Sequence, residues 1–155
     1  MKSVRREVRH EVLVKMLAEK AHPRTQRSLF PTMRELLCFA AALGFEQQRR
    51  KPLEGKTAEI DGRIFENLEV ATDMVYLVAL AGAGDVNILQ PEREEDAVAI
   101  FEEYANGGLE ILSEWMAASA GDIDGDQALF QGIIQGGMLS KGAPPVAVAL
   151  TDVKF

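Results

Sequence analysis

One cysteine in 155 residues leaves the chain without an internal disulfide and suits a reducing, cytoplasmic setting. No run of about 18 uncharged apolar residues exists, so a membrane-spanning helix is not expected. The opening MKSVRREVRHE has basic residues but no apolar stretch behind them, and does not read as a secretory signal. Histidine is scarce too. His10 and His22 stand twelve residues apart with no second His or Cys at ligand spacing. Glu7 and Glu11 beside His10 on a basic helix make a poor zinc site, so no metal and no cofactor is expected. Aromatic residues reach only 6%, and before Phe65 the only ones are Phe30, Phe39 and Phe45. Base stacking is therefore not indicated for the basic first part of the chain.

Hydrophobic residues at 47% and charged residues at 26% describe a globular domain, and the length suits one domain with a sizeable core. The net charge of −7 is unevenly spread. Residues 1–56 hold 13 Lys and Arg against 6 Asp and Glu, a balance of +7, whereas residues 57–155 hold 4 against 18, a balance of −14. A basic front and an acidic back suit a polyanion partner, head-to-tail homo-oligomers, or a dipolar surface without function.

Helical patterning dominates. Residues 3–21 read as a first helix, with Ser3 as cap and Val4, Val8, Val12 and Met16 at i, i+4 spacing. Thr32 and Glu35 form a T-x-x-E capping box for a second, whose Leu36, Leu37, Phe39, Ala40 and Leu43 should be buried, with Gly44 as its stop. Residues 46–67 are polar and contain Pro52, Gly55 and Gly62, so they read as a loop, with "TAEI" a short strand lacking an obvious partner. Helical spacing returns at residues 68–83, where Val70, Met74, Leu77, Val78 and Ala81 mark one face, and again after Gln90-Pro91. There Asn106-Gly107-Gly108 interrupts a good apolar pattern at about 1 kcal/mol per glycine. Asn and Gly tolerate left-handed backbone, so the interruption reads as a corner between two helices, with close approach of a partner backbone as the alternative. The stretch 120–155 holds six of the thirteen glycines; a short helix over 126–134 and the β-like "VAVAL" are its only local signals. The expected architecture is mainly all-α, five or six helices over residues 1–119, followed by an irregular, Gly/Pro-rich tail over 120–155 that faces a partner.

Few constellations carry chemistry. "GAGDVN" lacks the third glycine of a phosphate loop and follows a helix instead of a strand. "DIDGDQ" alternates acids as a calcium loop does, but loop positions six and twelve fall on Gln127 and Ile133, where Gly and Glu belong. Cys38 lies within the apolar run of the second helix and reads as a small hydrophobe. No nucleophile–His pairing stands out, which points away from an enzyme. The basic residues differ: Arg5, Arg6 and Arg9, then Arg24 and Arg27, then Arg49, Arg50 and Lys51 form a candidate surface for DNA backbone phosphate, because guanidinium forks match phosphate oxygens.

The stretches "LFPTMRELLCFAAALGFEQQRRKPLE", "FENLEVATDMVYLVALAGAGDVNIL" and "FEEYANGGLEIL" together resemble the Dnd-associated proteins of class four, small proteins associated with DNA phosphorothioation. The resemblance spans Leu29 to Trp115 and carries over no catalytic residue. It implies a bacterial defence setting, beside genes that replace a non-bridging phosphate oxygen by sulfur and the linked restriction genes. Two functions are then expected: an accessory that contacts DNA backbone phosphate, or a non-enzymatic adaptor or oligomeric scaffold that docks a larger defence protein.

Overall fold

The structure is a computed structural model that describes residues 1–139, so "VAVAL" lies outside the described residues. Its elements are β1 (Val4–Glu7), α1 (Glu11–Ala18), α2 (Met33–Glu46), β2 (Thr57–Ile60), α3 (Gly62–Glu66), α4 (Glu69–Ala83), α5 (Glu94–Ala118) and α6 (Asp126–Gln135). Single 3-10 turns at Val8–His10, Val86–Leu89 and Pro91–Arg93 lead into or join them. The protein is mainly helical, with one two-stranded sheet among the described residues.

The spine is α5, 25 residues long, against which α2 packs most extensively and α4, α6 and β1 pack from other sides. Phe101, Ala105, Leu109 and Leu112 of α5 are buried with Leu36, Leu37, Ala40 and Leu43 of α2, and Phe65 meets Phe101 edge-on at 6.0 Å between ring centroids. The cap of α2 forms at Thr32, whose hydroxyl accepts from Glu35 N at 3.2 Å. The Glu35 carboxylate closes the loop on that hydroxyl at 2.8 Å, a variant of the reciprocal box.

The expected corner at Asn106-Gly107-Gly108 is not there. Helix α5 runs straight through it, and among the described residues the glycines with positive φ are Gly84, Gly125 and Gly137. Missing side chains are what the site requires. A Cβ on Gly108 would fall inside the Ala40 carbonyl, one on Gly107 inside the Arg49 carbonyl, and one on Gly44 of α2 inside the Tyr104 carbonyl. Two helices thus touch at backbone distance, and tertiary packing offsets the poor local propensity. The alternative reading names a partner's backbone; the backbone that comes close belongs to the chain itself, to Ala40 of α2 and to Arg49 just beyond it.

The first helix begins later than its spacing predicts. Residues 4–7 are a strand, paired antiparallel with β2 in the register Val4–Ile60, Arg5–Glu59, Arg6–Ala58 and Glu7–Thr57. The short strand at "TAEI" has a partner after all, fifty residues upstream, and residues 62–66 form a helix where a loop is predicted. A two-stranded ribbon is marginal alone; this one lies against α5. Val12, assigned to the apolar stripe, is 82% exposed. The inner face of α4 also differs, since Ala71, Val75, Val78 and Ala79 are buried while Val70 and Leu77 point outward.

Candidate functional site

The fold brings three of the seven candidate phosphate-binding arginines, Arg9, Arg49 and Arg50, to one polar stripe of α5. Glu103, Asn106, Glu110 and Glu114 recur at three- and four-residue spacing and therefore line one side of that helix. Arg50 pairs with Glu103, Arg9 with Glu110 at 2.8 Å and Arg49 with Glu114 at 2.5 Å. Arg50 also lies over the Tyr104 ring, 5.6 Å from its centroid. One residue off the stripe, buried Glu102 receives Arg5 through its backbone N at 2.6 Å and through a guanidinium fork, Nη2 at 2.9 Å.

The remaining four divide. Arg6 is 6% exposed, ion-paired with Glu11 and bonded through Nε to Met33 Sδ at 3.3 Å, with Nη1 buried and unpartnered. β1 turns this guanidinium inward, away from any duplex. Arg24 and Arg27 sit exposed on the α1–α2 connector, apart from the α5 stripe, and Lys51 is exposed beside it. Among the described residues these three side chains pair with no carboxylate.

Asn106 is the hub. Its Nδ2 donates to Glu7 Oε1 at 3.0 Å, Pro52 O at 3.2 Å and Lys51 O at 3.3 Å. All three are acceptors, which fixes the amide orientation. Oδ1 then faces His10 Nε2 at 2.9 Å and Arg9 Nη2 at 3.4 Å, so the His10 proton belongs on Nε2. Glu7 also accepts from Glu54 N at 2.9 Å and from Arg9. Burial pushes the Glu7 carboxyl up, but the Glu54 amide, Arg9 and Asn106 together hold it below the ordinary carboxylate value. Burial lowers the proton affinity of His10, with Asn106 acting against it. A cleft of about 390 Å³ opens outside this network, lined by Glu7, Arg9, Lys51, Pro52, Glu54 and Glu110 among others. The arrangement joins β1, the 50–56 segment and α5; with its donors and acceptors turned toward each other, it is built to hold elements together. Sequence reasoning missed Glu7, Asn106 and the α5 carboxylates, although their helical spacing was a usable signal.

Two other sequence candidates have plain roles. Asp122 accepts from Ala128 N at 2.8 Å and so caps α6. Burial raises the Cys38 thiol to about 11, which leaves little thiolate at neutral pH.

The outer side of α4 is a different surface. Val70 is 65% and Leu77 58% exposed, and exposed Val86 and Leu89 of the following turn extend the same apolar area. A cleft of about 320 Å³ lies here between helix and turn, lined by Asp73, Tyr76, Leu77, Leu80 and Leu89. No helix among the described residues is long and apolar enough to cross a membrane.

No curated protein and no solved structure matches the chain. A family pattern does: that of DNA sulphur modification system-associated protein 4 covers residues 3–133, β1 through most of α6, with the ion-paired stripe and the Asn106 hub inside it. The chain belongs to that family.

Proposed function

We propose that the protein is a non-enzymatic adaptor that docks another protein of the DNA sulphur modification system with which its family is associated. The observation that carries this reading is α4, whose covered side is apolar and whose outer side exposes Val70 and Leu77 beside Glu69 and Asp73. Such a helix belongs in a core or against a partner. The ion-paired arginines support the same reading. A phosphate that approaches Arg49 or Arg50 also meets Glu114 or Glu103, so the basic front offers little net positive field.

Contact with DNA backbone is the second reading, favoured by the exposed, unpaired Arg24, Arg27 and Lys51. Arg5, Arg9, Arg49 and Arg50 keep between 33% and 50% of their side chains exposed and would exchange carboxylate for phosphate. The pairs of Arg49 and Arg50 are exposed and contribute only about 0–1 kcal/mol each, so those exchanges are cheap, whereas release of Arg5 would leave buried Glu102 unpaired. Copurification from the native host, with and without nuclease, separates the readings. An adaptor keeps its protein partners after nuclease; a DNA-bound accessory loses them. In the second case affinity for a duplex should fall with salt at a log–log slope of about −0.9 per phosphate contacted, and Arg49, Arg50 and Lys51 replaced together by Ala should flatten that slope.

A further inference from the structure

We propose that the outer face of α4 docks an amphipathic, Lys- or Arg-bearing helix of another protein, an inference that rests on the adaptor reading. The geometry is that of a helix-in-groove site. Glu69, Asp73 and Leu77 follow one another at i, i+4 spacing, and Leu80 continues the line. The cleft between this line and the Val86–Leu89 turn has an apolar lining of Leu77, Leu80 and Leu89, with Tyr76 and the Asp73 carboxylate completing its wall. An apolar anchor side chain fits such a lining, and partner helices that use this mode present anchors at i, i+3, i+4 and i+7.

Charge selects the occupant. Glu69, Asp73, Asp85 and Glu92 are the acids of α4 and the turns that follow it, and Arg93 among them is held by Asp96 at 3.0 Å and Asp85 at 3.7 Å. A second copy meeting this face with the same face would bring both acidic rims together. A second copy offering its basic front would present Arg5, Arg50, Arg9 and Arg49 already held by Glu102, Glu103, Glu110 and Glu114, while its exposed Arg24, Arg27 and Lys51 lie on loops and bring no helical apolar ridge to the groove. DNA and an anionic lipid surface carry the wrong sign. A cationic helix with an apolar ridge satisfies both the groove and its rim, and the rim would speed its capture at low salt.

The probe is a synthetic amphipathic peptide of Leu and Lys, with a Leu and Glu peptide of the same apolar spacing as control. The Leu/Lys peptide should bind with NMR shifts concentrated at Leu77, Leu80 and Leu89, and the Leu/Glu peptide should not. Leu77→Glu and Asp73→Lys should each weaken binding about tenfold or more while leaving the melting temperature unchanged, since both side chains are exposed. Shifts centred elsewhere, indifference to Asp73→Lys, or a wild-type dimer in the ultracentrifuge that Leu77→Glu dissociates would overturn the proposal. Copurification from the native host tells its failure from that of the adaptor reading. Nuclease-resistant partners retained equally by wild type and Leu77→Glu reject this surface but keep the adaptor. Recovery of no such partner by wild type rejects both. Partners lost only by Leu77→Glu, together with the peptide result, support the site.

Discussion

The α2–α5 seam, built on glycines, and the outer face of α4, which carries Val70 and Leu77, meet opposite surroundings. At the seam, Gly44, Gly107 and Gly108 bring two backbones together, and nothing larger than hydrogen fits. On α4, Val70 and Leu77 stand mostly out in solvent, 65% and 58% exposed. By composition the first resembles a loop and the second a core. Their roles are reversed because burial depends on what lies opposite a side chain, and one chain's local pattern does not contain that information.

The largest effect should come from filling the seam. Gly108→Val drives a branched side chain into the Ala40 carbonyl and should cost about 4 kcal/mol or more, enough to abolish folding of a marginal domain. Denaturant titration measures this, and a loss under about 1 kcal/mol would mean that the helices separate easily. Asn106→Leu comes next. It strips partners from Glu7, His10 and two carbonyls beside the seam, for an expected loss of about 2–4 kcal/mol.

Acidification should have a smaller, graded effect. The unfolded chain protonates His10 near the ordinary 6.5 while the folded chain resists, so stability begins to fall as pH drops below that value. Glu7 acts in the same direction further down. Its folded value is depressed, so its contribution is complete above the unfolded carboxylate range and is lost as pH falls through the folded value. His10→Gln, which keeps a donor for Asn106, should flatten the upper limb and leave the lower one; unfolding midpoints across the range check it. The least effect is expected on the other side of the comparison. Leu77→Gln should change the stability of the isolated protein by no more than about 0.5 kcal/mol, and a larger loss would show that the α4 face is already covered.

Much of the helical frame was legible. Thr32 and Glu35 mark the start of α2, and Leu36, Leu37, Ala40 and Leu43 of its apolar run are buried, whereas Phe39 is half-buried and the helix runs past Gly44, read as its stop, to Glu46. The N-terminal strand was not, for a reason of arithmetic. A spacing of four satisfies a helix, and as a multiple of two it satisfies a strand as well, so Val4 and Val8 fit either. The residues that would have decided are charged. Arg6 points inward on β1 and Glu7 is buried, which hides the alternation a half-buried strand normally shows. At the Asn106 hub the individual residues read as polar surface, because the groups that satisfy them come from positions about 50 and 100 residues away.

The pairing between the two ends of the charge distribution has an electrical consequence. Arg5, Arg9, Lys20, Arg49 and Arg50 from the basic front contact Glu102, Glu110, Asp124, Glu114 and Glu103 from the acidic remainder. Folding thereby collapses part of a separation that, laid out along the chain, would give a large dipole moment, and it leaves Arg24, Arg27 and Lys51 as exposed cations on a protein of net charge −7. On ion-exchange media at neutral pH the native protein should be held by an anion exchanger and pass a cation exchanger without delay. Its unfolded form, with the front released from its internal counterions, should show affinity for both.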